Sequence, residues 1–358
     1  MAFPRVARSL TLVAVSTWSA IPSLLAARQA LPHVHFIATG GTISNARGGR
    51  LTAAELTASL PGVDSIARVT HEQFANVASS SLTISHWLRL AQRINELVKS
   101  GDAIDGIVVS SGTDTLEETA FFLHLTVNSD VPVVVVGAMR PPSQLGYEGA
   151  ANLLAAVRVA ASPAARGRGV MVVLNDEINS ARDVTKTDAN RLQTFQSGRY
   201  GLLGVVDNDG PVFFRQVTQR HTSTSEFDVT GLTDLPAVEI IYVYISASGN
   251  LIRAAVDGGA KAIVLAGAGA GALAVTQMDG VNFALDKGVV LIRGSRTGSG
   301  RVFRSGPTAS DSAAGEGGGR PAMVSAGDHA PLKARILAML ALTKTTSREE
   351  IARMFREY

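Results

Sequence analysis

Short apolar runs alternate with stretches of helical spacing along most of this chain. Residues 34–38 form an apolar run that ends in Thr39-Gly40-Gly41-Thr42, a strand entering a tight loop. Trp87, Leu88, Leu90, Ala91, Ile94, Leu97 and Val98 recur at helical spacing over 87–98. Residues 107–109 read as a buried strand, followed by the loop Ser110-Ser111-Gly112-Thr113-Asp114. A helix is predicted over about 115–127, with Glu117 and Glu118 in its first turn, where the dipole favours acids. Residues 131–136 are almost pure Val, the mark of a parallel strand covered on both faces. A helix over 152–161 and a strand over 170–174 follow. This alternation predicts a larger N-terminal catalytic α/β domain over 31–214, built on a doubly wound parallel sheet.

The rhythm fades over 205–237, which is polar and reads as a hairpin or linker; the linker proper is set at 215–237. Alternation resumes with strands at 238–243, 262–266 and 289–292 and helices near 249–257 and 281–287. These predict a smaller C-terminal α/β domain over 238–358. It carries a glycine loop at 315–319 and closes with helices over 331–342 and 347–355.

Residues 1–30 stand apart. Arg5 and Arg8 precede an apolar run over 10–25 that Ser16, Thr17, Ser19, Pro22 and Ser23 interrupt. A charged start, a short apolar centre and a small-residue end predict a signal peptide, with Ala20, Ala27 and Ala30 as candidate ends; an uncleaved anchor is the alternative. A periplasmic or secreted protein, with no membrane span in its mature form, is expected. The leader also explains the charge. The chain has 33 basic and 30 acidic residues and a pI near 9.3. Arg5, Arg8 and Arg28 all lie in the leader, which has no acid, so the remainder is balanced and no nucleic-acid partner is expected. The absence of Cys removes disulfide scaffolds, thiolate metal sites and cysteine nucleophiles.

Several motifs fail on inspection. Gly267-Ala268-Gly269-Ala270-Gly271-Ala272 follows a strand and partly fits a dinucleotide loop, but the next strand ends in Arg293 rather than an acid. His71-Glu72-Gln73-Phe74-Ala75 starts like a zincin helix and lacks the second His, and no other histidine shows ligand spacing. No metal site is expected. Two loops remain, Thr39-Gly40-Gly41-Thr42-Ile43 and Ser111-Gly112-Thr113-Asp114-Thr115. Each places Thr beside Gly at the carboxyl end of a covered strand, where open α/β sheets form their ligand crevice. Taken singly, either reads as ordinary turn chemistry. A third polar stretch over 175–187, again after a strand, points instead to one shared site. In it Lys186 lies beside Thr185 and Thr187, and a desolvated lysine can serve as a base.

The strings IATGGTIS (37–44), SGTDTLEETA (111–120), VGAMRP (136–141) and RDVTKT (182–187) resemble the bacterial type II L-asparaginase/glutaminase family. Residues 347–358 resemble its C-terminal helix, and the likeness runs in order over about 31–358. The resemblance implies hydrolysis of L-asparagine to L-aspartate and ammonia, with possible L-glutaminase side activity and no cofactor. It also implies a homotetramer, a dimer of intimate dimers with active sites between protomers. Carried over position by position, Thr42 is the first-loop nucleophile, and Lys186 forms a triad with Thr113 and Asp114. Asp114 grips the substrate α-amino group, Ser79 with Ser80 beside it takes the α-carboxylate, and the Ala138 and Thr113 N–H groups form the oxyanion hole. Three positions depart from the family. No Tyr precedes Tyr147, Ala272 stands where a neighbouring protomer's Asn belongs, and the neighbour's Glu falls near Gly315, leaving Glu316 to make that substrate contact. These departures keep two other readings open: an amidohydrolase of the same fold with another substrate, or a non-enzymatic periplasmic amino-acid binder. Arg47 or Arg50, beside the hinge-like Gly48 and Gly49, is the candidate lid in place of the absent Tyr.

Overall fold

The computed structural model describes residues 1–2, 30–303 and 323–358. The leader, the glycine loop at 315–319 and Glu316 lie outside the described residues, apart from Met1, Ala2 and Ala30. Residues Leu31–Tyr358 form one compact unit. No described helix is long and apolar enough to cross a membrane.

The elements run β1 (His33–Gly40), β2 (Asn45–Ala46), β3 (Gly49–Arg50), α1 (Ala53–Ala58), β4 (Arg68–Val77), α2 (Ile84–Lys99), β5 (Gly106–Ser110), α3 (Leu116–Thr126), β6 (Val133–Val136) and α4 (Gly149–Ala161). Then come β7 (Val170–Leu174), β8 (Glu177–Ser180), β9 (Thr185–Lys186), β10 (Phe195–Gln196), β11 (Gly204–Asp207) and β12 (Gly210–Phe213). Eight of these strands form one sheet in the order β12-β11-β8-β7-β6-β5-β1-β4. From β7 to β4 every pairing is parallel. Strands β8, β11 and β12 pair antiparallel and extend the expected parallel-type sheet at one end. The cause is local. Asn175 and Asp176 adopt positive φ (52° and 60°) between the paired residues Leu174 and Glu177, which makes a tight two-residue hairpin that reverses the chain. Strand β4 was not foreseen because its sequence, RVTHEQFANV, lacks an apolar run; it lies at the sheet edge, where one neighbour suffices.

The all-Val strand β6 shows how the two layers arise. Val133 and Val135 enter the core beneath α2 and α3, while Val134 and Val136 enter the core beneath α1 and α4. Helix α3 is buried almost all round, so an amphipathic stripe was never available to announce it.

The second sheet is wholly parallel, ordered β13 (Val238–Tyr242), β14 (Ala262–Gly267), β15 (Val290–Ser295), β16 (Val324–Ser325). Helices α5 (Asn250–Asp257) and α6 (Met278–Asp286) cover one face. Helix α7 (Pro331–Leu342) covers the other, and its apolar side chains join the core that α3 belongs to. Helix α8 (Arg348–Glu357) closes the chain. Arg182 ties the parts together: its guanidinium donates to both Asp328 carboxylate oxygens (2.9 and 3.1 Å) and to the Tyr358 carbonyl (2.8 Å).

Three buried histidines surround this junction: His124, His221 and His329. Burial holds all three below the ordinary imidazole pKa, with nearby Arg182 adding to the effect at His124 and His329; His329 sits at about 4. They fold neutral, whereas the unfolded chain protonates near pH 6.5. Stability is therefore full above about pH 6.5 and falls as pH drops below it, for His329 down to about 4 and by up to about 1.4 kcal/mol per pH unit. A thermal-melting series from pH 7 to 4.5 is expected to show a steady fall in Tm that His329→Gln makes shallower. An equal slope in wild type and variant would count against this account.

Candidate active site

Three loops converge at the carboxyl ends of neighbouring parallel strands, and glycine lets them touch. The backbone N–H of Gly41, after β1, donates to the Val77 carbonyl at the end of β4 (2.9 Å). A Cβ on Gly41 would fall 2.4 Å from Gly112 Cα, and one on Gly112 would fall 2.7 Å from Ser79 Oγ. A fourth loop joins from β6, where a Cβ on Gly137 would lie 2.8 Å from the Ser111 carbonyl and 3.3 Å from Thr113 Cγ2. Side chains at these glycines would hold the threonine loops apart.

The Thr42 loop turns at once into a short 3-10 helix, Thr42–Ser44, with Thr42 half-buried at its start. The carbonyls on either side of Thr42 are both held. Gly41 O accepts from Arg50 Nη1 and from Ser44 Oγ, each at 3.0 Å. Ile43 O accepts from the Tyr147 hydroxyl at 3.0 Å. Burial, with Glu148 adding to it, pushes the Tyr147 pKa up to about 12, so the hydroxyl stays a donor. The first tyrosine of the chain thus reaches the Thr42 loop across 104 residues, which sequence order gave no means of seeing. Arg50, considered as a lid, sits in the β2–β3 hairpin with its guanidinium on the Gly41 carbonyl, while Arg47 is exposed.

Thr113, Asp114 and Lys186 meet. Lys186 Nζ donates to Thr113 Oγ1 (3.1 Å) and to Asp114 Oδ1 (3.0 Å). Thr113 is buried; the Asp114 side chain is 73% exposed and that of Lys186 only 16%. Lys186 arrives on β9, paired with β10 through Phe195. Its own N–H donates to Glu117 Oε1 (3.2 Å), a buried carboxylate that the sequence marked only as a helix-start acid.

Ser79 is buried against Gly112, and its carbonyl accepts from Thr115 Oγ1 (3.2 Å). Ser80 is exposed, and both serines line a groove of about 350 Å³ with Thr83, Trp87, Thr115 and Arg335. Ala138 is buried in the loop after β6. Its backbone setting is defined by the next two N–H groups, Met139 and Arg140, which donate to the Glu148 carboxylate (2.5 and 3.4 Å). Ala272, in the alanine–glycine run, closes a tight turn by donating its N–H to Ala268 O (2.8 Å). No group of three or more His, Cys, Asp or Glu suited to a metal occurs among the described residues.

Residues 33–219 match the family described as Asparaginase, N-terminal, and residues 237–355 match the Glutaminase/Asparaginase C-terminal domain. The chain belongs to the asparaginase family. It is 43% identical over 339 residues to L-asparaginase 2 of Bacillus subtilis (strain 168), covering 92% of this chain and 87% of the relative. It is 41% identical over 339 residues to glutaminase-asparaginase of Pseudomonas fluorescens biotype A, covering 92% and 91%. The crystal structure of a probable cytoplasmic L-asparaginase from Campylobacter jejuni superposes with a TM-score of 0.82 at 38% identity, over 92% of this chain and all of that one. The two-sheet architecture is therefore that of an asparaginase, and the loops carrying Thr42, Thr113 and Lys186 all fall within its N-terminal part.

Proposed function

We propose that this asparaginase hydrolyses the side-chain amide of L-asparagine to L-aspartate and ammonia, with L-glutamine as a secondary substrate. The observation that carries the mechanism is the contact of Lys186 Nζ with both Thr113 Oγ1 and Asp114 Oδ1. Thr42 Oγ attacks the amide carbon, and the tetrahedral oxyanion is met by backbone N–H groups of Ala138 and Thr113. Collapse expels ammonia, which takes up the proton lost by the attacking hydroxyl; Lys186, through Thr113, is the amine placed to relay it. Water then cleaves the Thr42 ester by the same route, releasing aspartate and restoring the hydroxyl. Asp114, whose side chain is exposed, suits the α-ammonium of the substrate, and Ser79 with Ser80 suits its carboxylate.

Ammonia release from L-asparagine and L-glutamine is the direct test, beside Thr42→Ala and Thr113→Ala. Each variant is expected to lose at least about 1,000-fold in kcat, the scale seen when one member of a catalytic group is removed. Wild-type turnover on neither amide, with aspartate still binding, would favour the other-substrate or binding-protein readings. Near-normal turnover by Thr42→Ala would remove Thr42 as nucleophile.

Self-association is part of the same proposal, as a homotetramer in which a neighbour's Glu316 completes the site. Support comes from the edge of β13, unpaired among the described residues, where exposed Tyr242, Tyr244 and Leu251 line a groove of about 460 Å³ and Ile245 is 95% exposed nearby. An unpaired edge beside exposed aromatic and aliphatic side chains suits burial against another copy. The two-domain division at 31–214 and 238–358 belongs here as well. So does export to the periplasm or beyond, supported by the leader pattern of Arg5, Arg8 and the apolar run over 10–25.

A further inference from the structure

One buried charge has no part in the chemistry above. Lys333, in the first turn of α7, is 2% exposed, yet among the described residues its ammonium meets no carboxylate at hydrogen-bond distance. It donates to two backbone carbonyls, Arg182 O (2.8 Å) and Val184 O (2.5 Å), and lies 5.8 Å from the centre of the Phe121 ring. Both carbonyls belong to the segment that delivers Lys186 to the site. Burying an ammonium is costly, and a methionine or leucine would fill the same space without that cost. Burial pushes the Lys333 pKa down to about 8, with Glu117 and Asp183 opposing the fall and Arg182 adding to it, so at neutral pH the donors are present.

The segment is held from its other end too. Glu117, on α3, accepts the Lys186 N–H through Oε1, and its Oε2 is buried without a hydrogen-bond partner among the described residues. Val184 and Lys186 are thus fixed by side chains from two different helices, one in each half of the molecule. The rest of the segment is held by its two-residue ladder with β10, by the Thr187 bonds to the Thr194 carbonyl (2.7 and 2.9 Å) and by the Val184 N–H on the Ser180 carbonyl (2.9 Å), none of which fixes the Val184 carbonyl or the Lys186 N–H.

We propose that Lys333 and Glu117 are positioning residues that bracket the backbone of residues 182–186 and so hold Lys186 Nζ within reach of Thr113 and Asp114. The bracket rests on the reading that Lys186 serves the hydrolysis. It acts chiefly on the rate of the chemical step, because Lys186 Nζ meets the buried Thr113 hydroxyl, whereas Ser79 sits on another loop and the exposed Asp114 keeps its own backbone when Lys186 shifts. Misplacing a reacting group by about 1 Å is enough to lower a rate about 100-fold.

The test uses the full protein with Lys333→Met, Glu117→Ala and Glu117→Gln, assayed well below each variant's own Tm. Lys333→Met and Glu117→Ala are expected to lower kcat for L-asparagine about 10- to 100-fold, with KM within about threefold of wild type. Glu117→Gln keeps an acceptor oxygen for the Lys186 N–H and is expected to retain kcat within about threefold. Wild-type kcat in folded Lys333→Met, or in Glu117→Ala, overturns the bracket and leaves a purely structural role. Equal losses in Glu117→Ala and Glu117→Gln overturn it as well, since charge rather than the backbone bond would then matter. Should Lys333→Met not fold, the two Glu117 variants still decide the matter. The underlying reading fails separately: it falls if Lys186→Met itself turns over at the wild-type rate.

Discussion

Lys186→Met is expected to leave a folded protein whose asparagine turnover is down at least about 1,000-fold, equivalent to about 4 kcal/mol of barrier. Methionine replaces the unbranched apolar stem of lysine without its ammonium, so the pairing of β9 with Phe195 survives, while both donations from Nζ are lost. The stability cost is expected to be small for a specific reason. Although Lys186 and Asp114 are 3.0 Å apart, the Asp114 side chain is 73% exposed, and water and salt screen such a pair to about 0–1 kcal/mol. Activity and stability should therefore separate: a melting curve close to wild type, and ammonia release near background. Turnover within about tenfold of wild type would sink the assignment of Lys186 to the proton relay.

Gly41→Ala carries the second large effect, this time on fold and activity together. Gly41 has φ 89° and ψ −173°, a region reserved in practice for glycine, where a side chain costs about 1–3 kcal/mol. In addition its Cβ would stand 2.4 Å from both Gly112 Cα and Gly112 N, atoms of backbone that cannot swing aside. The Thr42 and Thr113 loops must then separate, and a shift of about 1 Å suffices for a rate loss of about 100-fold. The expected result is a lower Tm together with a kcat reduced at least about 100-fold. Gly48→Ala is the matched control. Its φ is also 89°, but a Cβ there meets nothing within 4 Å among the described residues, so only the backbone strain applies. If Gly48→Ala proved as damaging as Gly41→Ala, loop contact would not be the cause.

The two variants probe different links. Lys186→Met removes a reacting group from an intact frame, whereas Gly41→Ala moves the frame and keeps every reacting group. Had the site been assembled from side chains on one loop, the second would matter little. It matters here because Thr42, Thr113 and Lys186 come from three segments, two of them brought together at Gly41 and Gly112 and the third joined by part-buried hydrogen bonds to Glu117 and Thr113.

Sequence alone determined the parts of this protein whose physics is local. The Val run at β6, the apolar strand β1 and the helical spacing of α2 each state their own structure, because a covered strand and a one-sided helix need those patterns. The loops with Thr42 and Thr113 were legible for the same reason, since a glycine after a strand marks a turn at a crevice. Tertiary structure decided the rest. The Asn175–Asp176 turn reverses the chain through backbone angles that polar composition does not reveal, and that reversal makes the sheet mixed. Edge strand β4 needs little apolar character, so it left no pattern to find. Glu117 looked like a helix-start acid, and no sequence pattern singled out Lys333 within its helix. Only folding shows both buried around Lys186, because each owes its role to partners 69 and about 150 residues away, and no local pattern encodes a partner at that distance.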